Sequence, residues 1–443
     1  MTNRKSLDAQ AKQVARSLRD GLLGGERLQL VKAPPGAGKT HLLLELLAAG
    51  FEKKMRLAVA TFTNAQADDI SRRLANDHPK VEVHRFISNG ALEPDLGSRV
   101  RIIKSKDDLP RGPGVVVATT AKWAFTDTSP FDALLIDEAW QIGWADFQLL
   151  LGVASRFVLI GDPGQIPPVV SIPTERWETS PNPPHLALPD RILNDPNLGA
   201  AISELPGSRR LPHDAVELVN KFYDFTFGAF AEPNERYIRL KETKTKRPID
   251  KALNLLAASS IVGVTMPTSD SGPPAEIDDE IAKIVSDLIA RLLSREPMAS
   301  HLAATRNKPL ALEPSDIGIV SSHRVMNTQL HYRLPPRLQG KIRVETPERW
   351  QGLQCKLMIA IHPLSGVSTP SAFDLETGRL CVMASRHQSG LLILSRDHVP
   401  ETLRTHIVTA EQPVGRRDVE GIGHHRNSEF WAGLEDANCI VAL

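Results

Sequence analysis

The sequence predicts an α/β protein of two parallel-sheet domains joined by a proline-rich connector. Three observations carry that prediction. Short runs rich in β-branched residues alternate with helical stretches, the order of a parallel sheet covered by helices. The first of these runs leads straight into a glycine-rich loop and an apolar helix. A second set follows a stretch from Pro163 to Pro189 that holds eight prolines and almost no periodicity. At 443 residues the chain also exceeds one ordinary core.

The elements follow in order. Strands are expected at 27–32 (RLQLVK), 56–61 (RLAVAT), 115–120 (VVVATT), 133–137 (ALLID) and 157–162 (FVLIGD), with a buried helix at 41–49 (HLLLELLAA). The second set is expected at 260–265, 316–322, 341–346, 356–361 and 390–395. Between them, 276–295 places apolar residues at 277, 281, 284, 285, 288, 289 and 292, the spacing of an amphipathic helix. Residues 266–280 and the tail after Pro413 read as loops. The expected division is a first domain over 1–165, a connector over 166–200, a second domain over 201–412 and a tail over 413–443.

Composition narrows the function. Lys+Arg total 53 against 52 Asp+Glu, so no global positive field recruits polyanions and a nucleic-acid site must be a local groove. Cys355, Cys381 and Cys439 have no CxxC spacing, which supplies neither a disulfide framework nor a zinc site and suits a reducing compartment. His424 and His425 add no ligand spacing to Cys439. The N-terminus lacks the apolar core of a signal peptide, and no run reaches the ~18 apolar residues of a membrane span. A cytoplasmic protein is expected.

Two stretches carry chemistry. APPGAGKT (33–40) fits GxxxxGK[ST] except that Ala33 replaces the first glycine. Small residues there let backbone N–H groups at a helix N-terminus wrap an anion, so Gly36, Ala37, Gly38, Lys39 and Thr40 are candidate phosphate-binding residues. Lys39 reaches the β- and γ-phosphates of ATP, and Thr40 is placed to ligate Mg²⁺. LLIDEAWQ (134–141) brings an apolar strand up to Asp137 and Glu138, and buried carboxylates need a partner. A cation held by Asp137 beside the phosphate loop supplies one, and Glu138 then orients or deprotonates the attacking water. The strand ending in Asp137 is expected to run beside the loop.

With these motifs placed, the chain resembles a superfamily 1 helicase. It is most similar to the 5′→3′ branch that contains the RNA-surveillance helicases of nonsense-mediated decay, in a compact bacterial-type form. The resemblance spans roughly residues 7–397. SLDAQAKQV resembles the adenine-reading Q motif, with Gln10 as its glutamine. TFTNAQADD (61–69) and VVVATTAKW (115–123) resemble strand-gripping motifs through Thr63, Asn64, Thr119 and Thr120. GDPGQIPPVV (161–170) resembles GDxxQLPPVV, where Gln165 senses the γ-phosphate. SRRLPHDAVELVNKFY (208–223) supplies Arg210, and DIGIVSSHRVMNTQL (316–330) resembles DIGIITPYxxQ. TPERWQGLQCKLMIA (346–360) places Gln351 and Gly352 on nucleic acid, and LCVMASRHQSGLLIL (380–394) supplies Arg386 as the γ-phosphate arginine.

The resemblance implies two RecA-like P-loop domains with ATP in the cleft between them. It implies an ATP- and Mg²⁺-dependent motor on single-stranded DNA or RNA. Because both arginines belong to one chain, one subunit suffices for the ATPase site, alone or within a larger complex. Three positions depart from the pattern: Arg209 where an aromatic base-stacking residue is usual, Gln354 for a glutamate, and His323 for a tyrosine. Trp140 and Trp177 read as packing residues, and Trp350 as either packing or base-stacking. The basic runs at 52–56 and 242–248 read as solvated faces, the latter also as a possible border of a nucleic-acid groove. A nucleic-acid-stimulated ATPase without unwinding, or a small-molecule phosphotransferase on the same loop, are the competing readings.

Overall fold

A computed structural model describes residues 3–168, 170, 173–177, 179–244, 247–274, 276–300, 309–409 and 418–443. Positions 245 and 246 of the basic run, and 413–417 of the expected tail, lie outside the described residues.

The first sheet has eight strands, all parallel: β1 (Leu28–Lys32), β2 (Arg56–Thr61), β3 (Val83–Phe86), β4 (Val100–Ile103), β5 (Gly114–Thr119), β6 (Ala133–Asp137), β7 (Phe157–Gly161) and β8 (Ala201–Glu204). Their spatial order is β4-β3-β5-β2-β6-β7-β1-β8. Successive side chains of a strand point to opposite faces, and both faces here are covered. Leu57, Val59, Val115 and Val117 enter a core under helices α1 (Asn3–Gly24), α2 (Lys39–Glu52) and α3 (Asn64–Asp77). The alternate residues Ala58, Ala60, Val116 and Ala118 enter a second core with Trp123, Phe131 and Phe147. Burial on both faces explains why these strands read as continuous apolar runs.

The second sheet has six parallel strands: β9 (Ile261–Met266), β10 (Ile317–Val320), β11 (Arg343–Glu345), β12 (Cys355–Ile361), β13 (His387–Arg396) and β14 (Ile440–Ala442), in the order β11-β10-β12-β13-β9-β14. It too is buried on both faces. The amphipathic helix forms over Asp279–Ser294, started by the Asp278 carboxylate, which accepts from the Ile281 N–H at 3.0 Å. Two α/β domains with parallel sheets are therefore the architecture.

The structure departs from the expected organisation in four places. β3 and β4 extend the first sheet although their sequences, VHRF and VRII, mix charge with apolar residues. β8 pairs with β1, so residues 201–204 complete the first sheet instead of opening the second domain. β7 lies between β1 and β6, so the Asp137 strand is the second neighbour of the phosphate-loop strand. The tail is not loop-like: a helix over Val419–Asp436 buries Phe430, Trp431 and Leu434, and β14 pairs with β9.

Candidate nucleotide and nucleic-acid sites

The phosphate loop is built as its composition requires. Gly36 and Gly38 have φ of +70° and +93°, a region closed to most side chains. Ala33 does not need positive φ; it is fully buried, and its N–H donates to Gly161 O at 2.8 Å, extending the β1–β7 pairing. Gly36 has a second constraint, since a Cβ there would lie 2.3 Å from Arg210 Cβ. Ser208 Oγ donates to Pro35 O at 2.6 Å and the Arg209 N–H donates to Gly36 O at 2.9 Å. The segment that leads into the second domain is thus seated on the loop.

Lys39 Nζ donates to Glu138 Oε2 at 3.0 Å, both side chains being largely enclosed. Glu138 reaches it from a left-handed backbone, φ 54° and ψ 46°, uncommon for a residue with a Cβ. Asp137 is buried at the end of β6, and its carboxyl is pushed above the usual carboxylate range by burial first and the Glu138 charge second. Lys39 opposes that shift but is already bonded to Glu138. A carboxylate so placed, with Thr40 in the first turn of α2, fits a divalent cation that arrives with the nucleotide phosphates. Among the described residues no cluster of three or more His, Cys, Asp or Glu forms a separate metal site.

Gln165 is buried. Its Oε1 accepts from Gln141 Nε2 at 3.0 Å, while its own Nε2 finds no partner among the described residues. From the second domain, Arg210 donates through Nε to Gln354 Oε1 at 3.1 Å and through Nη1 to Ser385 O at 3.1 Å. Its pKa is lowered by burial and then by the Arg386 charge, against the raising effects of Asp162 and Glu138. Arg386 is 2% exposed, and its Nε and Nη2 have no partner among the described residues. A buried guanidinium without partners is costly. The structure therefore brings Lys39, Asp137, Glu138, Gln165, Arg210 and Arg386 to one interdomain region.

Other expected residues fare differently. Gln10 is exposed and donates to Ser6 Oγ at 3.3 Å within α1. The neighbouring Asp8 is the one turned to the loop segment: its Oδ1 accepts from Arg209 Nη2 at 2.9 Å, and the Arg209 guanidinium lies 3.8 Å from the Phe230 ring centroid. Nothing in the family pattern pointed to Asp8 or Phe230. Gln354, at the departure position, serves as acceptor for Arg210. His323 lies beside Phe373, ring centroids 5.7 Å apart.

Of the residues expected to grip a strand, Thr63 caps α3 in a reciprocal box with Gln66 and remains exposed. Asn64 Oδ1 accepts from Arg85 Nη2 at 2.8 Å, a buried arginine of β3 that sequence reading missed. Thr119 caps the short helix α4 (Thr120–Ala124), which positions Thr120 at its start. All four lie at the carboxyl ends of β2 and β5, on one rim of the sheet. Gln351 Nε2 reaches Ile166 O across the boundary at 3.4 Å, and Gly352 has φ +75°.

The tryptophans are structural. Trp350 is buried against Gly318 with Nε1 donating to Ile319 O at 3.1 Å, which decides between its two readings. Trp140 Nε1 donates to Asp190. Trp177 sits against Arg176 and His185 of the connector itself. His424 Nε2 pairs with Leu403 O at 2.8 Å, and no helix among the described residues is long and apolar enough to cross a membrane.

Residues 8–172 match the model of an AAA domain. Over 161 residues the chain is 28% identical to the DNA replication ATP-dependent helicase/nuclease DNA2 of Saccharomyces cerevisiae, covering 34% of this chain and 10% of the yeast protein. It is 23% identical over 349 residues to the DNA replication ATP-dependent helicase/nuclease JHS1 of Arabidopsis thaliana, covering 75% of this chain and 24% of that protein. The aligned regions thus span a tenth to a quarter of these relatives. Among solved structures, an arterivirus nonstructural protein 10 helicase aligns at a TM-score of 0.42 and 15% identity, over 87% of this chain and 62% of that one.

Proposed function

We propose that this chain is a superfamily 1 ATP-dependent nucleic-acid motor that hydrolyses ATP to move along a single strand. The observation that carries the reading is Arg386: a buried guanidinium whose Nε and Nη2 have no partner among the described residues, acting with Glu138 of the other domain on the shared neighbour Arg210. Phosphoryl transfer is mostly positioning and charge stabilisation, and this set supplies both.

In this reading the loop 36–40 and Lys39 hold the phosphates. Thr40 and Asp137 would hold Mg²⁺, which, when bound, would neutralise charge developing on the phosphate oxygens. Arriving phosphates draw Lys39 from Glu138 and free that carboxylate to take a proton from water. Gln165 donates its unpartnered amide toward the γ-phosphate or the water, and Arg210 and Arg386 close on the γ-phosphate. Closing and reopening shift Thr63, Asn64, Thr119 and Thr120 relative to Gln351 and Gly352, which advances the chain along a strand gripped by its backbone. The GDPGQIPPVV and TFTNAQADD motifs support placing it in the 5′→3′ branch similar to the nonsense-mediated-decay helicases, and we read it as a compact, cytoplasmic, bacterial-type member of that branch. The named activity of the DNA2 and JHS1 relatives makes DNA the first strand to test.

The test is ATPase rate with single-stranded DNA and RNA of increasing length, followed by displacement of duplexes carrying a 5′ or a 3′ tail. Stimulation by strands and displacement from the 5′ tail are expected. Absence of stimulation at any length would overturn the motor. Stimulation without displacement would instead favour the remodelling ATPase.

A further inference from the structure

The loop that carries Gln165 is fastened to the second domain by a contact that neither the motifs nor the relatives assign. Asp162, 1% exposed at the end of β7, accepts at Oδ1 from two donors: the Gly164 N–H at 3.0 Å and the Tyr223 hydroxyl at 2.9 Å. Tyr223 belongs to the second domain, where it packs with Phe222, Phe225 and Phe227 on the core beneath β12 and β13. Its hydroxyl also lies 3.3 Å from Cys381 Sγ, on the helix Thr377–Ser385 whose C-terminal cap is Arg386.

The packing around that hydroxyl leaves no slack. A Cβ on Gly164 would lie 2.4 Å from Tyr223 Oη and 2.8 Å from Cys381 Sγ, and one on Gly378 would lie 2.6 Å from Ile166 N. Loop 162–166 and the arginine-bearing helix therefore meet backbone to backbone, with the Tyr223–Asp162 bond as the polar tie at their centre. Burial and the Asp162 charge hold the phenol well above its usual range, so the hydroxyl keeps its proton and remains a donor. Asp162 also offsets the charge of Arg210, which couples the tie to the arginines electrostatically.

We propose that Tyr223 is a positioning residue for ATP hydrolysis: donating to Asp162 across the domain boundary, it sets the Gln165 loop against the helix ending in Arg386. This rests on the ATPase reading above. Tyr223 touches no reacting atom; it fixes the register in which Gln165 and Arg386 converge.

The test is Tyr223→Phe, which removes one oxygen and keeps the ring. Turnover should fall about tenfold, the loss of a hydrogen bond to a charged group, with ATP affinity and melting temperature near those of the parent. Cys381→Ala, which removes only the weak sulfur contact, should keep nearly parental turnover. A readout independent of hydrolysis uses dyes on Leu92→Cys and Tyr332→Cys, at positions 96% and 73% exposed on opposite domains, since the three native thiols are buried. Energy transfer in the nucleotide-free chain should show a broader distance distribution for Tyr223→Phe. Parental turnover with an unchanged distribution overturns the proposal, as does a loss of turnover matched by an equal loss of ATP affinity. If the unmodified chain hydrolyses no ATP with or without strands, the ATPase reading itself falls, and the distance distribution alone then judges the tie.

Discussion

The two walls of the interdomain site handle charge in opposite ways. On the first-domain wall the lysine is already paired: Lys39 bonds Glu138, while Asp137 is buried with its charged form disfavoured. On the second-domain wall positive charge is in excess: among the described residues Arg210 bonds neutral oxygens, and Arg386 is buried without partners on two of its nitrogens. A wall paired within itself is stable without ligand. In the proposed motor, the wall with unpartnered guanidinium nitrogens is completed by the γ-phosphate when the domains close. In that proposed motor, the first wall binds the nucleotide and the second makes binding productive.

The sharpest way to break this contrast is Arg386→Ala. Turnover should fall by about 10³-fold or more, while ADP affinity, lacking a γ-phosphate to lose, stays near parental. Equal loss of ATP and ADP binding would make the residue structural and erase the asymmetry.

The first wall should respond differently. Glu138→Gln should bind ATP nearly as the parent does and turn over at least ~10²-fold more slowly. Lys39→Ala should weaken nucleotide binding itself. Parental hydrolysis by Glu138→Gln would remove that carboxylate from catalysis.

A smaller effect sharpens the contrast at the level of the two folds. In the second domain burial lowers the pKa of His362 to about 3 and of His387 to about 4, and both rings are essentially unexposed. A depressed folded-state value means the fold holds the neutral ring. That stabilisation is complete above the unfolded value near 6.5 and is lost as pH falls toward 4. Unfolding by denaturant between pH 7.5 and 5 should show stability dropping by on the order of a few kcal/mol, with His387→Gln flattening the slope. A profile unchanged by that variant would remove His387 as a cause.

The smallest expected effect is on salt. Strand binding should weaken with salt, but with a shallow slope, because the near-zero net charge suggests that few phosphates are engaged. A steep slope would show a phosphate track larger than the rim residues Thr63, Asn64, Thr119 and Thr120.

Legibility in the sequence followed the range of the interactions involved. β1, β2, β5, β6 and β7 are buried on both faces, so each appears as an apolar run whatever its neighbours do. β3 resisted reading because its arginine is neutralised from another element, with Arg85 Nε donating to Asp68 Oδ1 at 2.7 Å. The C-terminal helix resisted because GIGHHRN opens it with little apolar periodicity, and Gly423 is there only because a Cβ would strike Leu375 O at 2.0 Å.

By itself the sequence determined the local devices: two glycines at positive φ before a lysine, a carboxylate pair closing an apolar strand, and an arginine after a helical segment. These follow from backbone sterics and short-range chemistry, which neighbouring residues suffice to specify. Only the tertiary structure decided that β7 separates the loop strand from the carboxylate strand, that β8 closes the first sheet, and that Asp8 rather than Gln10 meets Arg209. It alone joined Asp162 to Tyr223. These are contacts between residues tens to hundreds of positions apart, and their energies depend on which faces pack together, a quantity no local stretch of chain contains.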